Sequence, residues 1–112
     1  MISLKNFREL ALSYAEATEQ PHFDKTSFRV KNKIFVTLDE ATNIACVMLS
    51  VNDQSVYKLI DETMIWPVPN KWGQKGCTFV DIKKIKKELL KEMLTAAYCK
   101  IAPKNLAALY KK

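Results

Sequence analysis

Between Pro21 and Leu38 the chain reads PHFDKTSFRVKNKIFVTL, two runs of β-formers around a short basic turn. Thr26–Val30 and Lys33–Leu38 are predicted strands, rich in branched and aromatic residues. Lys31–Asn32 is the predicted turn, because asparagine tolerates the positive φ that a tight hairpin needs. The register stays open. A two-residue turn sets Phe28 opposite Phe35, whereas a three-residue turn sets Val30 opposite Ile34 and Phe28 opposite Val36. The choice decides which face Arg29 takes, since a one-residue slip moves every side chain to the other side. A hairpin this apolar must be extended into a sheet and covered, and the other segments are read as what covers it.

Upstream, Ser3 is a candidate cap for a helix from about Leu4 to Ala17. Phe7, Leu10, Ala11 and Tyr14 fall on one stripe of it, and the approach to Pro21 ends it. Downstream, Asp39–Thr42 makes a turn and Asn43–Val51 is apolar on both faces, as a central strand would be. Asn52 or Asp53 then caps a short helix of roughly 53–61, with Val56, Leu59 and Ile60 facing the sheet. Pro67 and Pro69 limit the next segment to a short edge strand around Met64–Trp66. Cys77–Ile82 is a further strand. Asp81 caps the longest predicted helix, Ile82 to about Lys100. On a helical wheel, Ile82, Ile85, Leu89, Leu90, Met93, Ala96 and Ala97 share one face, and Lys83, Lys84, Lys87 and Lys91 another. Pro103 opens a last short helix.

A chain of 112 residues suits one domain, taken as residues 1–112, and is long enough to bury a core without staples. Its apolar runs are short and broken, so no transmembrane helix is expected. MISLKNFREL has no apolar signal-peptide core, and a cytoplasmic protein is the simplest expectation. Cys46, Cys77 and Cys99 are odd in number and widely spaced, which fits buried thiols rather than disulfides or a zinc site. No metal and no cofactor is implied. The net charge of +6 is uneven. Residues 1–62 carry seven Lys/Arg against nine Asp/Glu, while 63–112 carry eleven Lys against three acids. Such asymmetry hints at an anionic partner such as nucleic acid; soluble lysines explain it as well.

With these elements in order, the chain resembles the MmcQ/YjbR family over nearly its whole length. The resemblance rests on His22–Phe23, Ser27–Phe28–Arg29–Val30, Lys33–Ile34–Phe35, Pro67-x-Pro69, Trp72–Gly73, the strand from Gly76 to Asp81, and Ala102–Pro103–Lys104. Two positions depart from it: Cys77, where an aromatic is usual, and Asp24, where glycine is common. The resemblance implies an α+β fold. It has an antiparallel β-sheet, an N-terminal helix, a short middle helix, and a long C-terminal helix followed by a short terminal one. That fold is similar to the double-wing DNA-binding domain of a phage transcription activator, and the family is often labelled DNA-binding. It implies no reaction.

Three groups of residues are candidates for nucleic-acid contact. Arg29, Lys31 and Lys33 sit at the hairpin tip, where a wing would meet phosphate and a solvated turn would look the same. Lys71, Trp72 and Lys75 combine charge with an aromatic face; Trp72 either stacks a planar ligand or pins the loop to the core, and the usual burial of large aromatics favours pinning. Lys83, Lys84 and Lys87 would line one face of the long helix. His22 and Asp24 have no nucleophile or third ligand to work with, so His22 reads as structural and no catalysis is expected. DNA is thus the expected partner of a non-enzymatic module. The alternatives are a small-ligand or enzymatic role for the Trp72 loop with His22, and a protein-interaction or dimerisation module.

Overall fold

The structure is a computed structural model and describes residues 2–110. In chain order the elements are α1 (Leu4–Leu12), β1 (Ala17–His22), β2 (Lys25–Val30), β3 (Lys33–Asp39), β4 (Ile44–Met48), α2 (Val51–Tyr57), β5 (Ile65–Pro67), α3 (Lys71–Gln74), β6 (Cys77–Asp81), α4 (Lys87–Ile101) and α5 (Lys104–Ala107). The strands form one antiparallel sheet in the order β1-β2-β3-β4-β6-β5. The fold class is α+β.

The central hairpin takes part of each register. Lys31 and Asn32 make a two-residue turn, with φ of 51° and 66°, and Val30 pairs with Lys33. Further in, Arg29 faces Ile34 but Phe28 faces Val36, so Phe35 is an extra residue in β3. Such a bulge leaves two neighbouring side chains on one side of the sheet. Phe35 and Val36 are accordingly both fully buried. Arg29 is left on the opposite face with its partner Ile34, and its Nε donates to Ser27 Oγ at 3.0 Å.

The sheet has one sealed face and one open face. Along β4 and β6 burial alternates strictly, with Ala45, Val47, Thr78 and Val80 buried and Ile44, Cys46, Met48, Cys77, Phe79 and Asp81 half-buried. Helix α4 packs on β3 and β4, and α1 brings Phe7 to 5.7 Å from Phe28, centroid to centroid. Tyr98 lies 5.5 Å from Phe35 and 5.0 Å from Tyr14, and donates from Oη to Ala15 O at 2.6 Å. Each of these fully buried large side chains contributes on the order of 1.5–3 kcal/mol of burial.

The structure departs from the sequence reading at α1, β1, α4 and α2. Helix α1 stops at Leu12, because Ser13 Oγ takes up the Leu10 carbonyl and Glu16 adopts φ 60°. The polar segment after it is an edge strand, β1, which pairs along all of β2 and tolerates Pro21 because it lies at the sheet margin. Helix α4 starts at Lys87, not Ile82. Asp81 holds a turn instead, accepting from Lys83 N at 2.9 Å and, through its carbonyl, from Ile85 N at 3.2 Å. Helix α2 is Val51–Tyr57, capped by Ser50 and not by Asn52 or Asp53; its Val51 and Val56 are exposed, Gln54 is its buried contact, and Leu59 and Ile60 fall in the turn beyond it, exposed as well.

Candidate functional site

A groove of about 550 Å³ crosses the open face of the sheet. Its floor is Ile34 and Thr37 of β3, Cys46 and Met48 of β4, and Cys77 and Phe79 of β6. One wall is the β1–β2 turn with His22, Phe23 and Lys25; the other is Val68, Trp72 and Lys75, and Lys100 and Ile101 from the end of α4 complete the lining. The two walls stand at opposite ends of the strands. The Phe23 turn lies at the end where Thr26 pairs with Leu38, and the Trp72 segment at the end where Met48 pairs with Cys77.

Both rim aromatics are presented to solvent. Phe23 is 94% exposed and holds φ 59°, a conformation that a bulky residue adopts only when its surroundings impose it. The His22 ring packs against it edge-on at 4.8 Å. Trp72 is 62% exposed, with Lys75 Nζ 5.2 Å from its ring centroid. The expectation that Trp72 pins the loop is therefore corrected. Gly73 and Gln54 do that instead. Gly73 packs so close that a Cβ would stand 1.7 Å from Val68 O, and Gln54 Nε2 donates to Gly73 O at 2.9 Å. Trp72 has been left free of structural duty.

The predicted basic residues do not share one surface. Lys31 and Lys33 flank the β2–β3 turn, at the same end of the sheet as Lys71 and Lys75 but across β3, β4 and β6 from them. Lys31 is paired with Glu16 at 2.6 Å. Lys83 and Lys84 follow β6 at the other end of the sheet and lie in the turn before α4, so the helical face they were expected to share with Lys87 does not form. Lys87 is the first residue of α4 and is exposed. What the fold does unite is Trp72, Lys75 and His22 with three residues that the sequence did not single out for binding, Phe23, Lys25 and Lys100. Lys25 is paired with Asp24 at 3.3 Å, and Lys100 Nζ donates to Leu49 O at 2.8 Å. His22 and Asp24 do not share a strand: His22 ends β1, and Asp24 sits in the turn beyond it, paired with Lys25.

Two of the three cysteines meet on the floor. Cys46 and Cys77 hydrogen-bond to each other, although 31 positions separate them in the chain. Only the register of β4 on β6 brings them together, so no spacing signal was available. That bond, with Lys100 and Lys75 assisting against the cost of burial, pulls the Cys77 thiol down to about 7, and it pushes Cys46 up. The thiolate is the nucleophile, and an ordinary cysteine ionises near ~8.5. Iodoacetamide is therefore expected to label Cys77 before Cys46, with a rate that rises through about pH 7. Peptide mapping after short exposures checks this; preferential labelling of Cys46 would refute it.

One sheet, sealed by helices on one face and grooved on the other, defines this as an α+β domain with a single open sheet surface. Among the described residues no helix is long and apolar enough to cross a membrane. The YjbR family model matches residues 12–100, and the chain belongs to that family. The fold is similar to the crystal structure of Deinococcus radiodurans protein DR2400, a DUF419 domain, with TM-score 0.78 and 14% identity over 98% of this chain and 88% of that one. None of the curated proteins compared with the chain matches it.

Proposed function

We propose that the protein is a cytoplasmic, non-enzymatic binding module whose groove holds single-stranded DNA. The observation that carries this reading is the pairing of two exposed aromatics, Phe23 and Trp72, with Lys25, Lys75 and Lys100 around one apolar floor. Bases stack on aromatic faces at about 1–3 kcal/mol each, and lysines track the phosphates. A duplex needs a broad convergent basic face, and the hairpin and post-β6 lysines do not converge. A strand with splayed bases needs only the groove.

The test is fluorescence anisotropy with a labelled oligothymidylate. Three phosphate contacts give a salt slope near −2, so affinity should fall roughly 20-fold between ~50 and ~200 mM salt. Trp72→Ala should weaken binding about tenfold or more, since one stacked base is lost. Absence of binding at the lower salt, or a Trp72→Ala variant that binds like the parent, refutes the reading. The groove volume of about 550 Å³ also suits a small planar anion. A mononucleotide that competes as well as the oligonucleotide would favour that second occupant.

A further inference from the structure

We propose that Cys46, Cys77 and Met48 form a binding site for a monovalent thiophilic metal ion, of the Cu(I) class, on the groove floor. Three sulfurs meet here. Met48 pairs directly with Cys77 across β4 and β6, and Cys77 Sγ lies 3.3 Å from Met48 Sδ. Cys46 is two residues along β4 from Met48, on the same face of the sheet, and its thiol bonds to Cys77. All three line the open groove, so an ion has a path to them.

The geometry argues against the usual alternative, a disulfide. Cys46 pairs with Phe79, not with Cys77, so the two cysteines are diagonal neighbours. Diagonal positions have Cα atoms about 7–8 Å apart. A relaxed disulfide wants about 4.4–6.8 Å. An ion bound at about 2.3 Å by two sulfurs lets them stand up to about 4.6 Å apart, which closes that gap without moving the strands.

The ligand set selects the metal. Among the described residues no group of three or more His, Cys, Asp or Glu side chains is placed to hold an ion. Zinc, which takes four N, O or thiolate ligands in structural sites, is thus poorly served. Two thiolates and a thioether suit a soft ion. Charge points the same way. Two thiolates with one monovalent cation leave one negative charge, and Lys75 and Lys100 act on Cys77 while Lys25 acts on Cys46. Each thiol that enters as S–H releases its proton to solvent on binding.

The experiment titrates the reduced full chain anaerobically with Cu(I) against a chromophoric Cu(I) chelator, following thiolate-to-copper charge-transfer absorption. One ion per chain is expected. Because even outer-shell partners cost ~10- to 100-fold in affinity, losing a ligand should cost at least that much. Cys46→Ser and Cys77→Ser should therefore abolish competition with the chelator, and Met48→Leu should weaken it by ~10-fold or more. Cys99→Ser should leave it unchanged. Circular dichroism of each variant, with Cys77→Ala beside Cys77→Ser, separates loss of ligand from loss of fold. The proposal falls if the parent takes no copper from the chelator, if the Cys46→Ser/Cys77→Ser double variant binds as the parent does, or if Zn(II) binds as tightly as Cu(I). It also falls if air alone links Cys46 to Cys77 quantitatively. No arm involves nucleic acid, so the outcome is independent of the groove's occupant.

Discussion

Gly76→Ala should strip the protein of a large part of its stability. Gly76 sits at φ 112°, a region closed to side chains, and a Cβ there would stand 1.9 Å from Leu49 O. Neither partner can step aside. Cys77, the next residue, begins β6 and pairs with Met48, while Leu49 is fully buried and leads directly into α2. Strain and collision together put the cost above about 4 kcal/mol, the range reached only by severe local defects. A chain of this size has roughly 5–15 kcal/mol to lose. Gly73→Ala is the matched comparison. Gly73 has no positive φ, so only the 1.7 Å approach to Val68 O opposes the new methyl. Helix α3 is four residues long and can shift outward, which should limit the loss to about 2–3 kcal/mol. Urea unfolding of the two variants checks both. A Gly76→Ala chain as stable as the parent, or less affected than Gly73→Ala, would contradict the account.

The sheet and helices were legible because their signals are local. The hairpin carried its own turn residues, and Phe7, Ala11 and Tyr14 showed helical spacing that the core then used. The bulge at Phe35 was not legible: two adjacent apolar residues read as one inward and one outward, and only the covering helices favour burying both. Strand β1 was missed because its residues, ATEQPH, hold a single β-former, Thr18, and a proline. It exists because β2 offers it an open edge, and that is a tertiary cause. The site was legible only in part. Trp72, Lys75 and His22 were marked by type, and the fold brings them to one groove. Phe23 and Lys25 come from the β1–β2 turn and Lys100 from the end of α4, and the two stretches carry no shared pattern. The expectation of a lysine-lined helical face depended on α4 beginning at Ile82. Once Asp81 takes Lys83 N and Ile85 N into a turn, that face cannot exist.

Replacing Gln54 should damage both the fold and the groove, which makes it the sharpest link between them. The two N–H donors on its Nε2 are shared among Gly73 O at 2.9 Å, Cys77 O at 3.0 Å and Thr78 Oγ1 at 3.1 Å. Gln54 is the one buried side chain of α2, so this amide ties α2 to the α3 segment and to the start of β6. A leucine fills similar space but removes the donor. Gly73 O still accepts from Gly76 N and Cys77 O from Val68 N, so Thr78 Oγ1 is the acceptor left short. A buried group left short costs about 1–3 kcal/mol, and Gln54→Leu is therefore expected to lose about 2–3 kcal/mol in urea unfolding. Gln54→Glu should be at least as harmful, because a carboxylate turns acceptor against acceptor. The second consequence is local. Freed from Gln54, the Trp72 helix loses its hold on β6, and Trp72 stands in a less defined position on the groove rim. Trp72 fluorescence anisotropy, read in a Trp66→Phe background, should then fall in Gln54→Leu well below the unfolding transition. An unchanged anisotropy in a measurably destabilised chain would show that Gly73 against Val68 holds the wall alone.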